Sequence, residues 1–301
     1  MLRQRLTLGP ILIAIVVLGL WADEWLATQP VPGWASSFLS GSTLPGGLIV
    51  LPIMLLLCTT ASRELSRILR RKGVDSTLPI MASGAALGLL TVASAAWMHQ
   101  LVTPITAVAL AGSCGTAVMI TALLHASRRK KLEGTLAAAG GALLSYVYLG
   151  LMAGFALLLR SEHSAWVLLW VLMVTKSCDI GAYFTGKSIG KHKLIPWLSP
   201  GKTWEGLIGG VVVSSIVGAA GMYWLHSAGK SDHALWLALF AGALFGIVGQ
   251  AGDLVASMFK RDAAVKDAGG SLPGFGGVLD VLDSPLLVMP VAFWWLRIWG
   301  A

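Results

Sequence analysis

Residues 135–159 read TLAAAGGALLSYVYLGLMAGFALLL, a stretch without a single charged side chain. A helix needs roughly 20 mostly apolar residues to cross the hydrocarbon core of a bilayer, and this stretch exceeds that length. The whole chain has the same character, because 56% of its 301 residues are hydrophobic and only 12% are charged. Soluble domains carry about 25% charged residues. The composition therefore excludes a disordered chain and an ordinary soluble globule, and it predicts an all-α, polytopic membrane protein.

The apolar runs predict about nine spanning helices. They lie at 6–22, 44–61, 78–97, 101–125, 135–159, 164–186, 206–226, 234–256 and 284–300. Most of the 22 Lys and Arg residues fall in alternate segments between these spans. Because cytoplasmic loops are enriched in Lys and Arg, the alternation predicts a multi-pass protein of the cell (inner) membrane with a cytoplasmic N-terminus. The same loops account for the net charge of +8, so we expect no nucleic-acid partner.

Charge is distributed unevenly along the chain. The first four spans carry almost no internal charge, which predicts a transmembrane scaffold over residues 1–133. Residues 134–301 then form a catalytic region of about five spans with cytoplasmic loops. Between the second and third spans, the arginines of segment 63–72 alternate with leucine and isoleucine. This pattern is typical of an amphipathic helix on the inner membrane surface, where anionic membrane lipids attract it.

Asp253 is the sharpest candidate for function within a predicted span. At 100° per residue, it shares one helix face with Gly246, Gly249, Ser257 and Lys260. Small residues on one face are typical of helix packing in membranes, which is one interpretation. A carboxylate at membrane depth is costly and marks a functional site, which is the other. The polar edge at the end of the helix favours a site, and both interpretations stay open.

A long polar loop follows this helix. It begins with KRDAAVKDAGG at residues 260–270 and runs through further glycines to Asp280 and Asp283. Its cations suit phosphate groups, its glycines let backbone amides approach a ligand, and its carboxylates suit Mg²⁺, which is usually held by one or two carboxylates plus phosphate oxygens. An ordinary solvated loop with turn glycines is the alternative.

Two blocks of sequence carry a resemblance to a known family. Ser257-x-Phe-Lys-Arg-x4-Lys-Asp267, continued by Leu-Pro at 272–273 and by Gly-Gly-Val-x-Asp-x-Leu-Asp at 276–283, resembles the signature of the phosphatidate cytidylyltransferase (CDP-diacylglycerol synthase) family. The segment from Asp179 to Gly210 looks like a second block of the same family. Two positions depart from the family pattern, which usually has histidine in place of Phe275 and arginine in place of Val281.

The resemblance implies Mg²⁺-dependent transfer of a cytidylyl group from CTP to phosphatidate in the bilayer, giving CDP-diacylglycerol and pyrophosphate for phospholipid biosynthesis. It also implies a cytoplasmic active site and a homodimer. The implied catalytic residues are Asp253, Asp280, Lys260, Arg261 and Ser257, and the implied Mg²⁺ ligands are Asp253, Asp280 and Asp283. The implied substrate-binding residues are Lys266, Asp267, Lys202, Glu205, Asp179, Tyr183, Lys187 and His192.

Other functions remain as alternatives. One is a membrane lipid kinase, or a sister nucleotidyltransferase acting on another lipid phosphate such as an isoprenoid phosphate. Another is a transporter that uses Asp253 and Lys176 as an intramembrane ion relay. A transporter places its charges near the middle of the bilayer, whereas here they lie at one interface and in a long loop, which favours an enzyme.

Residues 181–188 match the P-loop pattern G-x4-G-K-S. That motif binds phosphate because a strand leads into a glycine loop at a helix N-terminus. Here the pattern stands at the end of an apolar helix with no strand before it, so we expect no P-loop.

Overall fold

The computed structural model describes residues 2–34, 39, 42–98, 102–128 and 133–299, with side chains from residue 7 onward. Within them the helices are α1 (Leu2–Leu26), α2 (Val50–Arg71), α3 (Leu78–Trp97), α4 (Pro104–Arg128), α5 (Thr135–Leu144), α6 (Met152–Glu162), α7 (Ala165–Ile189), α8 (Trp204–Ser227), α9 (Leu235–Asp262) and α10 (Val278–Trp299). A π-helical segment, Ser145–Leu151, joins α5 to α6 without a break. The strands β1 (Lys193–Ile195) and β2 (Ser199–Thr203) form an antiparallel hairpin.

Eight helical stretches in the described residues are long and apolar enough to cross a membrane. They are Thr7–Leu26, Leu78–Trp97, Pro104–Arg128, Thr135–Glu162, Ala165–Ile189, Trp204–Ser227, Leu235–Asp262 and Val278–Trp299. The all-α, polytopic membrane fold predicted from the sequence is therefore confirmed, and each of these stretches overlaps one predicted span.

The second predicted span, 44–61, is the exception. The helix in this region starts only at Val50 and continues through the arginine-rich segment to Arg71, so it lacks an apolar window of sufficient length. The amphipathic surface helix predicted at 63–72 is thus the second half of α2. Its apolar side chains, such as Leu65, are buried inside the protein instead of facing lipid.

The residues just before α2 are bound by a buried ion pair. The Asp23 carboxylate accepts hydrogen bonds from the backbone N–H groups of Gly47 (2.9 Å) and Ile49 (2.8 Å) and from Nε of Arg160 (2.6 Å). Asp23 and Arg160 are only 1% and 5% exposed, and a second guanidinium nitrogen lies 3.1 Å from a carboxylate oxygen of Glu24. The segment before Val50 is therefore held as a loop that links α1 to the end of α6.

The chain divides into two compact units. The first comprises Met1–Glu162 and Asp262–Leu279, and the second comprises His163–Arg261 and Asp280–Ala301. The division between scaffold and catalytic region predicted at residues 133/134 concerns function, and it stays a prediction.

Close helix packing in the first unit depends on glycine. Gly88 of α3 lies against the carbonyl oxygen of Tyr146, and Gly150 lies against that of Ala85, so closely that a Cβ on either glycine would overlap the backbone it faces. Small residues allow helix backbones in a membrane to approach to this distance. The π-helical segment is thereby packed directly onto α3.

The second unit uses glycine in the same way between α7 and α8. A Cβ on Gly206 would overlap the carbonyl oxygen of Ala182, and one on Gly210 would overlap that of Cys178. The P-loop pattern at residues 181–188 lies entirely within α7, which begins at Ala165, so the residues that lead into the pattern are helical. The prediction that this pattern forms no P-loop is confirmed, since its first glycine serves packing against α8.

Candidate active site

The β-hairpin delivers Lys202 to the second unit's main cluster of charges. Lys193 of β1 pairs with Thr203 of β2, and the Thr203 hydroxyl accepts a hydrogen bond from the Gly206 N–H (3.1 Å). Thr203 thus caps the first turn of α8, as threonine commonly does at this position. Lys202, one residue earlier, has its backbone fixed by the strand on one side and by the helix on the other.

The face of α9 that carries Asp253 packs against neighbouring helices and also borders a cavity. A Cβ on Gly249 would contact Thr175 of α7, and one on Gly252 would overlap the carbonyl oxygen of Asp283 in α10. The glycines therefore pack the helices, as the first interpretation predicts. Asp253 stands next to Gly252 and lines a cavity. The functional role of the second interpretation stays a prediction.

This cavity has a volume of about 430 Å³ and lies between α7, β2, α8, α9 and α10. It is lined by six charged side chains from four of these elements. They are Lys176, Asp179, Lys202, Asp253, Asp280 and Asp283. Tyr183, Gln250 and Ser284 add polar groups to the lining. A cavity with converging polar groups is the usual form of a small-molecule site.

Each acidic side chain predicted to bind metal has a lysine beside it. Nζ of Lys202 lies 2.7 Å from Oδ2 of Asp253, and Nζ of Lys260 lies 2.7 Å from Oδ1 of Asp280. Nζ of Lys176 is farther from Oδ1 of Asp283, at 3.9 Å. Charges at membrane depth are expensive unless they are paired, and these pairs offset that cost.

Gln250 connects the two sides of the cavity and was not predicted as a site residue. Its amide oxygen accepts a hydrogen bond from Nζ of Lys202 (2.7 Å), and its amide nitrogen donates to Oδ1 of Asp179 (2.8 Å). The Asp179 carboxylate also receives Nζ of Lys176 at 3.4 Å. The sequence does contain a signal for Gln250, because it lies about one helical turn before Asp253 and beside the face of α9 that carries Asp253.

The carboxylates and lysines that line the cavity suit the binding of a divalent cation together with phosphate groups. The carboxyl groups of Asp253 and Asp283 are close enough to interact directly, and a cation beside them relieves their repulsion. Among the described residues, no group of three or more His, Cys, Asp or Glu side chains is arranged to hold a metal by itself. Mg²⁺ needs only one or two protein carboxylates when phosphate oxygens and water complete its six ligands.

Several predicted site residues lie outside the lining of this cavity. Ser257 is half-buried one turn beyond Asp253, and Nε of Arg261 donates to the carbonyl oxygen of Leu198 (3.3 Å). Lys187 is exposed, with its ammonium 5.7 Å from the centre of the Tyr183 ring. Their predicted roles in catalysis and binding stay predictions.

Glu205 and His192 pair with each other. Nδ1 of His192 lies 2.6 Å from Oε1 of Glu205, whose carboxylate also accepts the backbone N–H groups of Lys191 and His192. This network closes the base of the hairpin that carries Lys202. Lys266 and Asp267 are exposed and belong to the first unit, and their predicted roles in substrate binding stay predictions.

A larger cavity, of about 700 Å³, lies in the first unit and includes His125 and Glu133 in its lining. Its lining residues stand on both sides of residues 129–132, which lie outside the described part of the chain. We therefore base no site on it.

The sequence was compared with protein families and with curated proteins. The model of the cytidylyltransferase family matches residues 3–299 of this chain. The chain belongs to the cytidylyltransferase family. In this cytidylyltransferase, Phe275 and Val281 are both half-buried.

The relatives of this cytidylyltransferase include proteins with a named activity. A protein of Staphylococcus saprophyticus named phosphatidate cytidylyltransferase is 34% identical over 248 residues, which are 82% of this chain and 90% of the relative. One of the same name from Staphylococcus aureus is 42% identical over 149 residues, which cover 50% of this chain and 55% of the relative. Uncharacterized protein YnbB of Escherichia coli is 40% identical over 164 residues, 49% of this chain and 51% of that protein.

Proposed function

We propose that this cytidylyltransferase transfers the cytidylyl group of CTP to phosphatidate, with Mg²⁺, and releases CDP-diacylglycerol and pyrophosphate. The observation that carries the proposal is the cavity in which three aspartates are each matched by a lysine. The similarity to relatives named phosphatidate cytidylyltransferase supports this choice of substrates.

The paired charges suit a site that receives both a metal and phosphates. Mg²⁺ would neutralise phosphate charge and hold the phosphate oxygens, with Asp253 and Asp280 as its ligands and Asp283 as a weaker third. Lys202 and Lys260, which pair with Asp253 and Asp280 in this structure, would contact phosphate oxygens. Catalysis of this kind depends on positioning and on preorganised charge, and it requires no protein nucleophile.

The proposed reaction forms one P–O bond and breaks another, and it needs no covalent bond to the protein. An oxygen of the phosphatidate phosphate attacks the α-phosphorus of CTP and forms a new P–O bond. The bond from that phosphorus to the oxygen of the β-phosphate breaks, and pyrophosphate leaves with that oxygen. Lys202 and Lys260 stabilise the charge that moves onto the leaving group, since both ammonium groups lie at the acidic cluster.

The position of the site suits one substrate from the bilayer and one from water. Asp179 and Asp253 lie towards the C-terminal ends of their helices, whereas Asp280 and Asp283 lie near the start of α10. The chain segments next to these helix ends are basic, and Lys187 is one of their residues. By the positive-inside rule, such segments favour a site on the cytoplasmic side of the membrane.

The proposal is tested by measuring pyrophosphate released from CTP by the detergent-purified protein, with and without phosphatidate and Mg²⁺. We expect release only when all components are present, and loss of release in Asp280→Asn. The matched control is Asp262→Asn, because Asp262 pairs with Lys72 at 3.1 Å and is 70% exposed. Release without phosphatidate, or an Asp280→Asn variant as active as Asp262→Asn, would contradict the proposal.

A further inference from the structure

Glu64 is a buried carboxylate outside the cavity described above. It lies in α2, its exposure is 0%, and nothing in the local sequence distinguishes it from a residue on a solvated helix face. Its oxygens accept three hydrogen bonds, from Oγ of Ser271 (2.6 Å) and from the backbone N–H groups of Val278 (3.0 Å) and Leu279 (2.8 Å). All of these residues belong to the first unit.

The loop before α10 is folded around this carboxylate. A Cβ added to Gly269 or to Gly277 would overlap the carboxyl group of Glu64. Between them, Gly276 has a φ of +94°, and its carbonyl oxygen accepts a hydrogen bond from the Leu272 N–H (2.9 Å). Burying a carboxylate costs several kcal/mol unless hydrogen bonds satisfy it, so the loop and Glu64 stabilise each other.

The two backbone donors belong to the first turn of α10. Val278 and Leu279 are its first residues, and N–H groups in a first turn have no partner within the helix. A carboxylate at this end also complements the helix dipole. Glu64 therefore supplies the acceptors for the backbone N–H groups of the first two residues of α10.

Asp280 is the next residue of that turn. Its carboxylate accepts a hydrogen bond from Nζ of Lys260 at 2.7 Å and is nearly buried. Because a helix fixes each Cα relative to the residues before it, a change at Val278 and Leu279 is transmitted to Asp280 through the backbone.

We propose that Glu64 is a positioning residue for Asp280, acting through its hydrogen bonds to the first turn of α10. Its consequence for catalysis rests on the proposed function, whereas its hold on the start of α10 does not. A buried group that supports a metal-binding or catalytic side chain typically contributes 10- to 100-fold to activity or metal affinity.

Glu64→Gln tests the proposal. Glutamine has the shape of glutamate, but one acceptor oxygen is replaced by an NH₂ group, which cannot accept the second backbone N–H. Ser62→Ala is the matched control. Ser62 is equally buried in α2, and its hydroxyl bonds to the Cys58 carbonyl oxygen (2.7 Å) and to Ser145 (3.2 Å), away from the loop.

Hydrogen exchange measured by mass spectrometry supplies a readout independent of activity. We expect faster exchange in Glu64→Gln for the peptide covering residues 269–281, and unchanged exchange there in Ser62→Ala. In the pyrophosphate assay, we expect kcat to fall by about 10- to 100-fold with a higher Mg²⁺ requirement and an unchanged KM for CTP. Unchanged exchange in residues 269–281 of a folded Glu64→Gln variant would overturn the proposal.

Ser271→Ala provides the second test if Glu64→Gln does not fold. Ser271 is exposed, and its loss removes one of the three hydrogen bonds to Glu64. We expect faster exchange across residues 269–281 and a smaller fall in kcat than in Glu64→Gln. Wild-type exchange and kcat in Ser271→Ala would overturn the proposal. A wild-type protein that releases no pyrophosphate would refute the proposed function instead, and the exchange data would still decide the role of Glu64.

Discussion

Lys202 makes two short polar contacts in the candidate active site. Its ammonium lies 2.7 Å from both Asp253 and the Gln250 side-chain oxygen. We expect Lys202→Ala to lower kcat by about 100-fold, as removal of a preorganised donor to a developing negative charge does. Pyrophosphate release measures this, with Lys193→Ala, an exposed lysine of the same hairpin, as the control. Equal activities of the two variants would remove Lys202 from the mechanism.

Single residues also show what the sequence could and could not predict about the site. Asp253 was predicted from the small, polar face of its helix, and Asp280 and Asp283 from the polar loop and its resemblance to a known family. The structure brings all three to one cavity. Glu64 was missed because its partner Ser271 is 207 residues away, so no local pattern reveals the contact. Burial of a carboxylate depends on tertiary partners, which only the folded chain specifies.

At the scale of elements, the separation of α9 and α10 sets the geometry of the cavity. We expect Gly252→Ala to push the two helices apart, because the added Cβ would overlap the carbonyl oxygen of Asp283. Overpacking of this kind costs about 1–3 kcal/mol of folding free energy, and here it also displaces a cavity carboxylate.

Thermal unfolding in detergent and pyrophosphate release together check the Gly252→Ala prediction. The control is Gly112→Ala in α4, where an added Cβ meets nothing within 4 Å. We expect the control to keep wild-type stability and activity. A Gly252→Ala variant with the same properties as the control would show that the contact between α9 and α10 is not tight.

The ion pair between Asp23 and Arg160 holds elements of the first unit together. We expect Asp23→Ala to lower the free energy of unfolding by about 3 kcal/mol, because it leaves a buried guanidinium and two backbone N–H groups without their acceptor. Denaturant unfolding of Asp23→Ala, Arg160→Ala and the double variant measures the coupling. Strictly additive effects would contradict a direct interaction.

Element boundaries were predicted well where an apolar run ends in turn residues or charges, and poorly where a tertiary contact intervenes. The third to eighth predicted spans each match one apolar helical stretch of the structure closely. The second was drawn from residue 44, whereas Gly47 has a φ of +100°, Asp23 binds the N–H groups of Gly47 and Ile49, and the helix begins at Val50. The hydropathy of the sequence shows the apolar run, but it does not show that the buried carboxylate of Asp23 binds the backbone there.

At the scale of the whole molecule, the predicted orientation in the membrane can be tested directly. We expect Ser188→Cys, at the exposed end of α7, to react with a membrane-impermeant maleimide only in inverted vesicles. Asp232→Cys, in the exposed segment between α8 and α9, should react only in intact cells. The background replaces the free cysteines Cys58, Cys114 and Cys178 by alanine. The reverse labelling pattern would place the active site on the outer side.

The central claim is that a cytidylyl group moves from CTP to a lipid phosphate. The most direct measurement uses CTP labelled with ³²P at either the α- or the γ-phosphate, incubated with the protein, Mg²⁺ and vesicles that contain phosphatidate. We predict that the α-label enters the lipid extract as CDP-diacylglycerol and that the γ-label stays in water as pyrophosphate. A γ-label in the lipid would show a kinase, and the absence of both labels from the lipid with folded protein would contradict the proposed acceptor.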